Sequence, residues 1–400
     1  MRRAAEQATF RDVFAVSEFR SLWLAQVLSV VGDQLARVAL TILVYDQTRS
    51  ALLAAVTFAC SVFPSFIGGI TLSGLADRFP RRTVMITCDV IRAILVVVMA
   101  IPGWPLGGLV VLLFLVTLVG APFLSARAAI YPDVLPGELY VLGTAITQTT
   151  FLFAQVIGFA ASGAVVAVFG VRTSLLIDAA TFIASTVLVR LRVRARPPAD
   201  TGARRRRAPL ADAASGARLV FGTPALRVPM LLGWLAAFYD VPEGVATPLA
   251  GTLHGGPVTV GLILAAAAFG AAVGMISFTR LVAPNRRLRW MRPLAACCCA
   301  VLMLMAFKPG LPLSLLILTV SGLLACYQTA ANAAFVAAAP PYQRSQAFGL
   351  AQGGMSLGQG AAMILAGAAT QYAGPAVVIA VSGAIGTIGA LAVTLSNPGL

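Results

Sequence analysis

Apolar stretches of roughly 20 residues, long enough to cross a hydrocarbon core of about 30 Å, recur along this chain from Leu22 to its C-terminal end. That recurrence decides the class. Of the 400 residues, 59% are apolar and 11% charged, whereas soluble domains carry about 25% charged residues. The chain therefore reads as an all-α membrane protein, with few residues left for an extramembrane domain.

Twelve transmembrane helices are expected, over residues 22–45, 52–72, 83–101, 106–126, 142–169 and 174–189, then 228–249, 258–282, 293–307, 313–335, 346–372 and 375–395. This reading divides the chain into a cytoplasmic segment 1–20, a six-helix bundle 21–190, a basic linker 191–227 and a second six-helix bundle 228–400. The linker carries alternating arginines from Arg190 to Arg196, then Pro197-Pro198 and the run Arg204 to Arg207, and it reads as a solvated hinge between the halves. Arg2 and Arg3 are followed by polar residues, and no small-residue cleavage site follows the first apolar run, so no cleavable signal peptide is read.

The net charge of +15 sits mostly between the apolar runs. Its implied partner is the anionic lipid of the cytoplasmic leaflet, and no nucleic acid is expected. With the N-terminus inside, 24 of the 29 Lys and Arg residues fall on the cytoplasmic side, and only Arg49, Arg172 and Lys308 fall outside. This bias puts both termini in the cytoplasm.

The halves read as pseudo-symmetric copies, as in many transporters. A shift of 204 residues superposes Pro136 on Pro340, Gln148 on Gln352, Gln155 on Gln359, Gly163 on Gly367 and Gly170 on Gly374. A shift of 207 brings Arg20 onto Arg227 and Asp33 onto Asp240, and one of 205 brings Arg81-Arg82 onto Arg286-Arg287.

The six cysteines lie in apolar runs without a Cys-x-x-Cys pair, and His254, the sole histidine, falls in a glycine-rich loop. Neither a disulfide framework nor a metal site is expected. No span shows a nucleophile beside a base, so the chain does not read as an enzyme.

Acids inside the spans are the informative residues, because a carboxylate at the centre of a membrane helix costs about 2.5–3.5 kcal/mol and is better placed against a cavity. Asp33 lies 11 residues past Leu22, roughly 17 Å along a helix and near the bilayer midplane. Arg37 follows at i+4 on the same face. The two form a self-neutralised pair, or Asp33 exchanges a proton while Arg37 tunes it or meets an anionic substrate group. In the seventh span Asp240 and Glu243 flank Pro242, before Gly244; they read as a proton-titrating pair at a helix break or as a kink at the outer end. Gln148 and Gln155, like Gln352 and Gln359, share one helical face seven residues apart. They contact substrate or glue helices together. Gln34, Tyr239, Tyr327, Gln328 and Asn332 are further cavity candidates.

Between spans two and three, Asp77 stands just before a helix with Arg78, Arg81 and Arg82 nearby, a geometry for a charge latch that breaks and reforms. The segment from Ser73 to Arg82 resembles the loop signature of the major facilitator superfamily. Leu75, Ala76, Asp77, Arg78, Arg81 and Arg82 match, and Ser73 and Pro80 occupy the two glycine positions. With Asp89, Arg92 and Gly32-Asp33-Gln34, the chain looks like the branch containing enterobactin-type siderophore exporters and macrolide efflux proteins. The fifth span keeps Gly158 of the exporters' glycine-proline motif and has Phe159 in the proline position.

The resemblance implies alternating access by two bundles around a central cavity. It also implies proton-for-substrate exchange, with the gradient as driving force and no cofactor. A monomer in the bacterial inner membrane is expected. Asp77, Arg78, Arg81, Arg82, Asp89 and Arg92 would form the gating loop. The leading expectation is a proton-driven exporter of an amphipathic small molecule, such as a drug, antibiotic or siderophore. An importer on the same scaffold and a non-transporting membrane sensor stand as alternatives.

Overall fold

The computed structural model describes residues 9–72, 75–196, 217–340 and 344–396. Every element among them is helical. A short α1 (Phe10–Ala15) leads into α2 (Ser17–Thr48), which forms the first span. The second span is α3 (Ala51–Ala59) plus α4 (Phe63–Thr71), and α5 (Leu75–Arg78) is one turn before α6 (Arg81–Ala100) and α7 (Leu106–Val134). The long α8 (Glu138–Arg192) follows.

In the second half, α9 is helical over 217–222 within the described residues. The seventh span is a chain of pieces, α10 (Pro224–Trp234), α11 (Ala236–Tyr239), α12 (Val241–Gly244) and α13 (Ala246–Thr252). Then come α14 (Pro257–Leu281), α15 (Pro284–Leu302) with a 3₁₀ turn Met303–Phe307, α16 (Leu311–Leu324), α17 (Tyr327–Ala338), α18 (Arg344–Ala373) and α19 (Pro375–Leu395).

Among the described residues, nine helices are apolar and long enough to cross a membrane. One of them, α8, has 55 residues, roughly 80 Å if straight and far too long for a single crossing. It breaks at Gly170, whose φ of 77° and ψ of 173° leave the helical region, so it supplies the fifth and sixth spans. The segmented seventh span and the 30-residue α18 bring the set to twelve. Most of the linker, 197–216, lies outside the described residues.

Gly374, between the eleventh and twelfth spans, has φ 78° and ψ 155°, the same unusual region as Gly170. A side chain there would be strained, because only glycine enters it readily. The sequence shift of 204 residues thus pairs two glycines doing one job, turning one span into the next.

Lipid offers no hydrophobic drive between helices, so close backbone approach through small residues holds them together. A Cβ on Gly270 would stand 2.0 Å from the Thr319 carbonyl oxygen, and one on Gly274 2.2 Å from that of Leu323. These two glycines, one turn apart, clamp α14 to α16. In the first half, a Cβ on Gly158 would meet the Gln34 side chain at 2.9 Å, and the fully buried Phe159 beside it packs into the core. Gly158 thus lets α8 close on α2, and the helix runs unbroken through Phe159.

The two halves meet at the end opposite the arginine-rich loops. A Cβ on Gly163 of α8 would be 2.5 Å from the Pro257 carbonyl and 3.0 Å from the Cα of Gly261, both in α14. One on Gly367 of α18 would be 2.4 Å from the Ala55 side chain and 2.9 Å from the Ala51 carbonyl in α3. Gln371 of α18 donates to the Ser50 hydroxyl at 3.3 Å, and a mixed core of Val38, Ile42 and Phe58 with Val245, Leu249, Val260 and Leu264 seals this end. Toward the arginine-rich end, called the basic end below, Phe66 of α4 still packs on Gly353 of α18, and beside this contact a cavity lies between the halves.

Candidate transport cavity

Three adjoining pockets line the separation. The largest, about 680 Å³, lies between Gln148 and Phe151 of α8 and Pro229, Trp234, Tyr239, Gln328, Asn332, Phe335, Phe348, Gln352 and Gln359 of the second half. A second, about 280 Å³, is bounded by Leu152, Gln155, Tyr239, Asp240, Glu243 and Gln328. The third, about 210 Å³, penetrates the first half and is lined by Ser29, Asp33, Gln34, Arg37, Arg92, Arg127, Phe151 and Gln155 among others. Shared walls at Phe151, Leu152, Gln155, Tyr239 and Gln328 join them into one chamber. Amphipathic ligands fit such a mostly apolar chamber with a few polar groups.

The helix break in span seven places the acids. Pro242 cannot donate to a helical carbonyl, the chain segments on both sides of it, and Asp240 and Glu243 reach the chamber wall. Asp240 accepts a 2.6 Å hydrogen bond from Gln359 Nε2. Gln328 donates to the Tyr239 hydroxyl at 2.8 Å and to the Gly233 carbonyl at 2.9 Å. Tyr327, expected in the cavity, instead is fully buried and donates to the Leu232 carbonyl at 2.9 Å. Its ring fills the bundle core where α17 meets the broken span. The other cavity candidates, Gln34, Gln148, Gln155, Tyr239, Gln328, Asn332, Gln352 and Gln359, all line the chamber.

In the first half the charge pairing differs from expectation. Asp33 is paired with Arg92 of α6 rather than with Arg37 of its own helix. Arg37 donates to the Ser61 carbonyl at 3.1 Å, lies 5.4 Å from the Phe58 ring centre, and is within electrostatic reach of both Asp33 and Glu243 of the other half. An i+4 arginine on one straight helix faces the same way as the acid, but α6 delivers its guanidinium head-on.

Asp89 and Arg92, assigned with the gating loop, sit more than two helix turns inside α6 and are buried. Arg92 also donates to Ser29 at 3.3 Å, lies 3.7 Å from Asp89, and stacks over Phe182 with 4.1 Å to the ring centre. Asp89 accepts a 2.5 Å bond from the Ser185 hydroxyl. The pair belongs to the bundle core because α6 starts at Arg81, which leaves only the first turn at the loop.

At the loop itself, Arg81 bonds Asp133 at 2.8 Å and the Ala129 carbonyl at 2.8 Å in α7, and Arg82 donates to the Arg190 carbonyl. Arg78 is exposed. The Asp77 side chain lies outside the described residues. Two charged chamber or core residues were missed by sequence reasoning, Arg127 of α7 and Asp178 in the sixth span. Asp178 carries the same signal as Asp33, an acid well inside an apolar run.

The profile of the Major Facilitator Superfamily matches residues 22–326 and, again, 244–398. The chain belongs to the major facilitator superfamily. Among its relatives are the multidrug efflux pump Tap of Mycobacterium tuberculosis, 25% identical over 312 residues, covering 75% of this chain and 74% of that protein. Another is the enterobactin exporter EntS of Citrobacter koseri, 27% identical over 268 residues, covering 66% of this chain and 63% of that protein.

The fold matches a POT family transporter crystallised with a thioalcohol-conjugated peptide, at a TM-score of 0.76 and 12% identity over 95% of this chain and 96% of that one. It also matches a bacterial homologue of the human lysosomal transporter Spinster in an inward-facing, unoccupied conformation, at a TM-score of 0.65 and 16% identity over 97% and 95% of the two chains. A family member with this architecture is a multi-pass membrane transporter of small molecules, not an enzyme.

Proposed function

We propose that the chain is a proton-coupled exporter that moves an amphipathic organic cation by alternating access. The observation that carries this reading is that acids from both halves, Asp33 from one and Asp240 with Glu243 from the other, line one chamber. Ionising these groups favours a bound cation, and protonating them removes that attraction, so substrate and protons compete for the same carboxylates. Among the described residues, no Lys or Arg lines the two pockets formed mainly by the second half, whereas Phe151, Trp234, Tyr239, Phe335 and Phe348 offer faces for an apolar cation. The arginines stay in the first-half pocket, where Arg92 is already paired.

The basic end is assigned to the cytoplasm, where lysine- and arginine-rich loops are retained. The conformation with the chamber at that end is then the loading state of an exporter. Export as the direction draws support from the printed names of the Tap and EntS relatives. Exposed Arg286 and Arg289 at the same end would meet anionic headgroups.

The test is transport of a fluorescent lipophilic cation in proteoliposomes with and without an imposed pH gradient. Movement out of the compartment facing the basic end is expected to need the gradient, and Asp33→Asn and Asp240→Asn each to abolish that dependence. Equal transport with no gradient, and unchanged behaviour of both variants, would refute the coupling. Accumulation in the opposite direction would make the protein an importer.

A further inference from the structure

The charges of the first half are not all accounted for by Asp33 and Arg92. Behind them lies Asp178 of α8, fully buried. Its Oδ1 presses against α2 at Gly32, where a Cβ would stand 2.3 Å from it, so the glycine next to Asp33 is what lets this carboxyl come so near. The Thr181 hydroxyl is 3.5 Å from Oδ1 but already donates to the Asp178 carbonyl at 2.7 Å. Oδ2 is sealed from solvent and has no hydrogen-bond partner among the described residues.

The charged groups facing Asp178 are Asp33 from α2 and Asp89 and Arg92 from α6. Three carboxyls thus lie within electrostatic reach of one guanidinium, which is bonded to Asp33 and 3.7 Å from Asp89; Arg127 also acts on Asp89. A carboxylate closed off from water with an oxygen unbonded is an unfavourable species, whereas the acid form carries no charge and supplies a donor. Only one carboxyl of the three, Asp33, borders the chamber.

We propose that Asp178 is a second proton-carrying carboxyl of the transport cycle, holding a proton in this state and exchanging it with Asp33 as Arg92 changes partner. This rests on the proton-coupled reading of Asp33. In the exchange, the O–H bond at Asp178 breaks and an O–H bond forms on the Asp33 carboxylate. Asp178 becomes the anion, Asp33 becomes neutral, and Arg92, released from Asp33, pairs with the new carboxylate. The cluster keeps its total charge throughout. The proton therefore passes between a dry store and the chamber without leaving an unpaired ion in the helix bundle, and Asp33 trades it with whichever side the chamber faces.

Infrared spectroscopy of the purified protein at neutral pH reads proton occupancy without transport. A carboxylic-acid C=O band is expected in the wild type and in Asp33→Asn, and its Asp178 component is lost in Asp178→Asn. In proteoliposomes Asp178→Asn is expected to keep gradient-free substrate counterflow while gradient-driven accumulation falls about tenfold or more, equivalent to at least one decade in rate. Should Asp178→Asn not yield folded protein, Asp178→Glu keeps an acid at the position while changing the carboxyl's surroundings, and it is expected to shift the band; an unmoved band overturns the proposal. A wild type indifferent to the gradient overturns the exporter reading and this exchange together. A gradient-driven wild type whose spectrum is unchanged by Asp178→Asn, or an Asp178→Asn variant that accumulates substrate like the wild type, overturns this exchange alone.

Discussion

Arg92 of α6 ties α2 and the sixth-span part of α8 to its own helix. Its guanidinium meets Asp33, Asp89 and Ser29 and covers the Phe182 ring. Removing one partner of a buried ion pair leaves the other charged and unsolvated, a loss of about 3–5 kcal/mol. Arg92→Leu is therefore expected to lower the melting temperature in detergent sharply, and adding Asp33→Asn to restore part of the loss; additive damage in the double variant would contradict the pairing. The depth of Asp33 was legible by counting along the first span, because rise per residue is fixed. Its partner was not. Arg37 and Arg92 are equally good arginines on paper, and only the way α6 packs on α2 selects between them. Asp178 was legible by the same rule as Asp33 and was passed over, while the burial of Tyr327 depends on how α17 lies against a broken helix, which no local pattern encodes.

At the scale of elements, the decisive features are breaks and close approaches. Gly170 and Gly374 occupy a positive-φ region that ends one span and aims the next. Alanine at either is expected to cost about 1–2 kcal/mol of stability, measured as a lower melting temperature, since a Cβ crowds the backbone there. The repeat of 204 residues made these two glycines legible as equivalents, although their dihedrals were not. The break at Pro242 and Gly244 was also readable, because proline cannot continue a hydrogen-bond ladder. The further division of the tenth span between Leu324 and Tyr327 has no proline or glycine at the junction, so it lay beyond sequence reasoning. Between elements of opposite halves, Gly163 against Gly261 and Gly367 against Ala51 and Ala55 leave no room for a side chain. Gly163→Leu is expected to hold the halves apart at that end and to block transport. Thiol-reagent labelling of cysteines introduced near Ser50 and Gln371 should then rise; unchanged labelling would show that this contact does not gate access.

The whole molecule is two bundles packed together at one end, with a chamber between them toward the other that the acids line. The span count, the all-helical class and the duplicated halves were legible because membrane thickness, hydrogen-bond satisfaction and charge bias in loops act on sequence directly. Which end is closed, and which polar residues share the chamber, follow from packing between helices distant in sequence. The structure shows one arrangement, with Asp33, Asp240 and Glu243 at a chamber whose largest lobe lies toward the basic end. Exchange at those carboxylates requires that a bound cation displace their protons. The most direct measurement is proton release on substrate binding, read with a pH dye when a lipophilic cation is added to purified protein in weak buffer. Release that saturates with binding, and that is lost in the Asp33→Asn, Asp240→Asn double variant, is the expected result; binding with no change in pH would contradict the account.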